Sequence, residues 1–190
     1  TDDDKSFILI LDDAPGQALT VHMARPQLAL TLDQKWRVAK DLLAALAHAH
    51  HHGVVHRNLT PGAILIGQDG TTRITDFDFA KPGVDRSLTI ATDIVDLVEK
   101  AYVAPEAFRE PGAASSASDI FSAGVILYEL FTGERPFAGE PTTVWDRAGE
   151  FLNKPSALRP ELNEAFDAWL QSLCAFDEHQ RLTASAALAA

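Results

Sequence analysis

Hydrophobic positions change period several times along the chain, and each change marks an element. Phe7, Ile8, Leu9, Ile10 and Leu11 form one continuous apolar run, the mark of a short buried strand. Asp12-Asp13-Ala14-Pro15-Gly16 ends it with turn residues. From Leu32 the apolar positions return at Trp36, Ala39, Leu43 and Leu46, the three-and-four spacing of an amphipathic helix. Thr31 and Gln34 have the spacing of a capping box, in which each side chain satisfies a backbone N–H left without a helical partner. Gly53 supplies the stop, so the pattern predicts a helix over about 31–52.

Between 54 and 80 the period shortens. Residues 63–66 and 73–76 read as short strands joined by Gly67-Gln68-Asp69-Gly70, a hairpin signal. Residues 81–100 hold no firm period and read as an extended loop. Ile120 to Phe131 is apolar almost all round, with Ser118 and Asp119 before it and Gly133 after it. That pattern predicts a helix over about 118–132 enclosed by protein on every side. Weaker patterns predict helices over about 142–152, 162–173 and 183–190. No repeat or low-complexity linker interrupts them. The fold class is α+β, mostly α-helical, with a small β-hairpin element.

Composition narrows the function classes. With 46% hydrophobic and 23% charged residues, the chain is neither disordered nor fibrous. Its 190 residues fit one domain able to bury a core without staples. The single cysteine, Cys174, cannot form an internal disulfide, which favours a reducing, cytoplasmic setting or the cytoplasmic portion of a larger protein. Beside Leu173 and Phe176 it reads as a small buried hydrophobe. No apolar run approaches the roughly 18 residues of a membrane span, so no membrane insertion by this segment is expected. Acidic residues outnumber basic ones 27 to 16, for a net charge of −11. No basic stretch is available for phosphate neutralisation, and no nucleic-acid partner is expected.

The candidate chemistry lies in one ordered set of motifs. His56-Arg57-Asn58-Leu59-Thr60-Pro61-Gly62-Ala63-Ile64-Leu65 resembles the catalytic loop of protein kinases, usually written H-R-D-L-K-P-x-N-I-L. Asp76-Phe77-Asp78 stands where that family has its metal-binding D-F-G, and Ala104-Pro105-Glu106 matches its A-P-E. Asp76 to Glu106 spans 31 residues, a normal activation-segment length for the family. Asp119 to Gly124 is similar to the start of its buried central helix, and Arg181 stands where the arginine that pairs with the A-P-E glutamate belongs. The His48 to Arg57 phrasing and the Ala-rich texture look like bacterial Ser/Thr kinases.

The resemblance implies the C-terminal lobe of the kinase fold, with the N-lobe absent or nearly so. Residues 1–16 resemble a remnant of the last N-lobe strand and the hinge, with Leu11 at the gatekeeper position. Residues 17–190 resemble the C-lobe, with a catalytic-loop region at 54–65 and an activation segment at 76–106. The glycine-rich loop, the strand lysine and its glutamate partner have no counterpart within these residues, and the two-lobed unit would need a further stretch before Thr1.

The departures fall on the chemistry. Where the family has its catalytic aspartate the chain has Asn58, and a carboxamide is no base near neutral pH. Loss of a general base typically costs about 10²–10⁴ in rate, roughly 3–5 kcal/mol of barrier. Thr60 replaces the phosphate-neutralising lysine, and Ala63 replaces an asparagine that holds Mg²⁺. Asp76 is left as a single, weak metal ligand, with Asp78 in place of the glycine that follows Phe77 and Glu99 in place of a common threonine. By the same resemblance the scaffold persists. His56 and Phe77 belong to the spine that links the lobes, Leu65 to the adenine-pocket floor, Asp119 to the anchor of the catalytic loop, and Glu106 and Arg181 to a buried ion pair.

The reading is a pseudokinase: a catalytically impaired kinase-like domain that acts as a regulatory or scaffolding protein-binding module. The alternative is a fragment or inactive variant of an ATP-dependent Ser/Thr protein kinase. A third, weaker reading is a non-nucleotide ligand in the remnant cleft. No cofactor is expected, and residual Mg·ATP binding would need an N-lobe supplied. The expected partner is a protein, an adjacent kinase domain or a second copy, at the N-lobe-facing surface that includes Leu11 and Leu65. Arg57 invites pairing with a phosphorylated Ser87, Thr89 or Thr92, but reads as a structural contact to the activation segment. His48 and His52 share a helical face, yet no Cys, Asp or Glu lies nearby in sequence to complete a ligand set, so His48, His50, His51 and His52 read as an exposed cluster. Trp36, Trp145 and Trp169 read as packing residues, and Asp2, Asp3 and Asp4 as a solvated end.

Overall fold

The computed structural model describes residues 15–77, 81–82, 100–137 and 150–190. The strand expected at 7–11 with Leu11, the acids Asp2 to Asp4, and Asp78, Ser87, Thr89, Thr92, Glu99 and Trp145 lie outside the described residues. In chain order the elements begin with β1 (Gln17–Ala18), α1 (Leu19–Ala24), α2 (Leu32–His51) and β2 (Val54–Val55). They continue with β3 (Ile64–Ile66), β4 (Thr72–Ile74), β5 (Lys81–Pro82), α3 (Pro105–Arg109) and α4 (Ser116–Thr132). The last are α5 (Pro155–Leu158), α6 (Glu164–Leu173) and α7 (Ala184–Ala189). The domain is mostly helical, as the sequence pattern implies.

The capping box of α2 is formed on both sides: Thr31 Oγ1 accepts from the Gln34 N–H at 3.3 Å, and Gln34 Oε1 accepts from the Thr31 N–H at 2.8 Å. The helix buries Val38, Ala39, Leu42, Leu43 and Leu46. Helix α4 starts two residues before the expected position because Ser115, not Ser118, is its cap. Ser115 Oγ accepts from the Ala117 N–H at 3.2 Å while Ser118 Oγ accepts from the Ser115 N–H at 3.0 Å. Every residue from Ser118 to Tyr128 is buried, and Gly133 closes the helix at φ +82°, a left-handed conformation suited to glycine. Full burial of each large apolar side chain such as Ile120, Phe121, Ile126 and Leu127 contributes about 1.5–3 kcal/mol. The helix expected at 162–173 is α6, capped by Asn163, whose Oδ1 accepts from the Phe166 N–H at 2.9 Å. That expected at 183–190 is α7, capped by Thr183. Residues 150–152 carry no helix, and the rest of the helix expected at 142–152 lies outside the described residues.

The expected hairpin is β3–β4, antiparallel, with Leu65 opposite Arg73. A third strand, β1, pairs with β3 on its other edge, placing Ala18 opposite Leu65. Strand β5 pairs antiparallel with β2, so the stretch read as an extended loop from 81 begins with a strand. Both additions are two residues long, too short to leave a period in the sequence. Helices α1, α3 and α5 went unread for the same reason: none covers two full turns.

Trp36 stacks edge-on with Phe131 and Phe166 at 4.9 and 5.2 Å and lies 6.3 Å from Trp169. It remains partly exposed over a cleft of about 380 Å³ between α2, α6 and α7. The large exposed hydrophobic residues among those described are Leu32, Trp36, Leu152 and Leu188, whereas Leu65 is half-buried. No described helix is long and apolar enough to cross a membrane.

Close packing of α4 on α6 rests on Gly124. A Cβ there would lie 2.5 Å from Cys174 Sγ and 2.9 Å from Leu173 Cβ. Gly124→Ala is therefore expected to destabilise the domain by about 1–3 kcal/mol through overpacking, measured by urea unfolding. A neutral or stabilising result would mean that the two helices separate at little cost.

Candidate functional site

One buried helix holds the candidate site together through a row of polar side chains. Asp119, 1% exposed, lies at the N-terminal end of α4. Its carboxylate accepts the backbone N–H of His56 and of Arg57, both at 2.8 Å. His50 Nε2 lies 2.8 Å from the same carboxylate and donates to it. Arg57 has φ +70°, an unusual left-handed conformation for a residue with a side chain. Such a conformation costs about 1–3 kcal/mol and persists only where its surroundings fix it; the Asp119 bond is that fixation.

The His56 ring ties this loop to the segment before Asp76. Nε2 lies 2.7 Å from the Thr75 carbonyl, which can only accept, so Nε2 donates. Nδ1 is then free to accept the Asn58 N–H at 3.3 Å. One ring nitrogen donating and the other accepting describes a neutral imidazole. The ring also meets Phe77 at 4.6 Å between centroids. A second tie runs from the Thr75 N–H to the Ala63 carbonyl at 2.8 Å. Beyond it the chain turns sharply at Asp76, φ +60°, whose side chain is exposed.

The positions expected to carry chemistry have modest surroundings. Asn58 Oδ1 is buried with no hydrogen-bond partner among the described residues. Thr60 is half-buried, ahead of the turn at Pro61. Ala63 is 2% exposed, its methyl group in the core. Leu65 is in the middle of β3. Arg57 Nε is buried without a partner among the described residues.

The segment around Glu106 is held by the same helix. Ser122 Oγ donates to the Tyr102 carbonyl at 2.7 Å, and Tyr102 donates its hydroxyl to Glu129 at 2.6 Å. Ser118 Oγ donates to Glu106 at 2.7 Å. Glu106 receives two bonds from Arg181, Nη1 at 2.6 Å and Nη2 at 2.8 Å. The remaining Arg181 N–H groups reach the carbonyls of Ala175, Ala117 and Phe176 at 2.7, 3.0 and 3.2 Å. All five guanidinium donors are thus used. Burial alone would raise the Glu106 pKa, but Arg181 and Ser118 outweigh it and hold the carboxyl below its ordinary value.

Sequence reasoning missed His50. The sequence pattern groups it with its neighbours in an exposed cluster, but its side chain is only 12% exposed and bonded to Asp119. The signal was present: Ala39, Leu43 and Leu46 continue at helical spacing to position 50, so His50 extends the buried stripe while His48, His51 and His52 are exposed. Ser118, Ser122 and Tyr102 were also missed as contacts, because serines within an apolar helix look like tolerated small residues. Trp36 and Trp169 pack as read, and Cys174 is buried.

Comparison with known sequences decides the family. A profile of the protein kinase domain matches residues 1–190. The chain belongs to the protein kinase family. It is similar to a probable serine/threonine-protein kinase PknB of Lactococcus lactis, 33% identical over 156 residues, which cover 81% of this chain and 24% of that protein. It is similar also to serine/threonine-protein kinase PknL of Mycobacterium tuberculosis, 41% identical over 103 residues, 54% of this chain and 25% of that protein. Serine/threonine-protein kinase 36 of Pongo abelii is 30% identical over 182 residues, 95% of this chain and 13% of that protein. The chain spans a quarter or less of the length of these curated relatives.

Two outcomes follow for this kinase-family domain. Arg181→Met or Glu106→Gln leaves one buried charge unpaired and is expected to cost about 3–5 kcal/mol by denaturant unfolding. Because folding lowers the Glu106 pKa, its contribution is complete above the ordinary 4.5 and lost as pH falls through the lower folded value. The stability gap between the chain and Glu106→Gln should therefore narrow below pH 4.5; a gap constant through that range would contradict the assignment.

Asp119→Asn replaces one accepting oxygen with a donor that faces other donors. It should cost about 1–3 kcal/mol and speed hydrogen exchange of the His56 and Arg57 amides. Exchange unchanged at both amides would show that the loop keeps its shape without this carboxylate.

Proposed function

We propose that this domain is a pseudokinase: a kinase-like scaffold that no longer transfers phosphate and serves as a regulatory or scaffolding module for another protein. The observation that carries the reading is Asn58, whose buried Oδ1 has no partner among the described residues, in a loop whose backbone Asp119 holds firmly. A carboxamide there offers no base, Thr60 adds no charge, and the buried methyl of Ala63 brings no ligand atom to a metal. Phosphoryl transfer depends on positioning and charge stabilisation, and this loop retains the first without the second. In this reading residues 17–190 correspond to the C-lobe and residues 1–16 to the end of an N-lobe. The partner is a protein, an adjacent kinase domain or a second copy, at the face that carries Leu65. The setting is cytoplasmic.

A second reading is a fragment or inactive variant of an ATP-dependent Ser/Thr protein kinase. It is favoured by the exposed Asp76 carboxylate at its left-handed turn, available to a metal, and by relatives named as serine/threonine-protein kinases.

Thermal unfolding with Mg·ATP, with ATP plus EDTA, and with neither distinguishes the two, alongside transfer of label from γ-labelled ATP to a general protein substrate. The pseudokinase reading expects no metal-dependent shift and no transfer. A saturating ligand at 100 times its Kd would add about 2.7 kcal/mol, a readily seen rise in Tm. A saturable, metal-dependent rise in Tm that Asp76→Asn abolishes would overturn the first reading in favour of the second.

A further inference from the structure

The last turn of α2 carries a feature that neither reading uses. His48 and His52 lie one above the other on the exposed side of the helix, with ring centroids 4.4 Å apart. We propose that they form a two-histidine site for a borderline divalent transition cation: zinc, nickel or copper(II). Metal–nitrogen bonds of about 2.0–2.1 Å place two imidazoles on one ion with centroids roughly 4.5–5 Å apart, close to the spacing seen.

A second observation fixes which atom is the ligand. His52 Nδ1 lies 2.8 Å from the His48 backbone carbonyl. A carbonyl only accepts, so Nδ1 carries the proton and the lone pair of the neutral ring is on Nε2. Metal-bound histidines characteristically donate their other nitrogen to a carbonyl or carboxylate, which holds the ring and its tautomer. His52 is thus already held as a ligand would be. The electrostatics agree in sign. The pair lies at the C-terminal, partly negative end of a 20-residue helix in a chain of net charge −11.

Imidazole selects zinc, copper and nickel, whereas magnesium and calcium prefer oxygen. No group of three or more His, Cys, Asp or Glu among the described residues is disposed to hold an ion, so water fills the remaining positions. His51, edge-on to His52 at 5.3 Å, is the nearest further imidazole and is not required. A bound ion would join position 48 to the helix cap at 52, clamping the turn on whose other side His50 reaches Asp119.

Calorimetric titration of the intact chain with Ni²⁺, Zn²⁺ and Mg²⁺, repeated on His48→Ala, His52→Ala and His51→Ala, tests the site. Circular dichroism of each metal-free variant verifies that it folds. The expected result is one Ni²⁺ or Zn²⁺ per chain, affinity at least about tenfold weaker in both His48→Ala and His52→Ala, and no heat from Mg²⁺. Additional weakening in His51→Ala would support the pair with a third ligand. No uptake, uptake unchanged in either pair variant, or loss confined to His51→Ala would overturn it.

Discussion

A charged carboxylate inside a hydrophobic helix is the constraint around which this domain is arranged. Taking Asp119 out of water costs several kcal/mol unless donors replace the water. Three do so: two consecutive backbone amides and the His50 ring. Consecutive amides can point at one carboxylate only if the chain bends sharply, and the left-handed Arg57 is that bend. The requirement of one buried charge thereby dictates the path of a loop more than sixty residues earlier in the chain. Ser118, Ser122 and Glu129 extend the same logic along α4, each holding a segment between Tyr102 and Glu106.

This division of labour separates shape from chemistry. Loop geometry is set by backbone groups of His56, Arg57, Ala63 and Thr75 and by buried side chains beneath them. Among the described residues, side chains at 58, 60 and 63 contribute no bond to that frame: Asn58 donates through its backbone, and Ala63 accepts through its carbonyl. The hydrogen bonds that fix the course of the loop thus come from its backbone and from the buried side chains beneath it.

Long elements were legible in the sequence because periodicity and caps repeat the same message. Thr31 with Gln34, the 39–43–46 stripe and Gly133 each point to a helix end or face that the structure contains. Short elements were not. Two-residue strands such as β1 and β5 owe their existence to a partner strand, not to any local pattern. The start of α4 differs from the expected one because Ser115 and Ser118 both suit a cap and only their reciprocal pairing decides between them. Motif spacing conveyed the family, and Glu106 lies against Arg181 across 75 positions without a local signal. His50 went unread because a polar residue on an apolar stripe discloses its partner only in three dimensions.

The packing of α4 on α6 also gives the domain an internal timekeeper. Its only thiol, Cys174, is fully buried beside Gly124, and desolvation raises its pKa, which disfavours the reactive thiolate while the core is closed. An alkylating reagent reaches that sulfur only when the two central helices part. The rate of labelling therefore counts openings of the core one molecule at a time, with no engineered probe and no second cysteine to confuse the count.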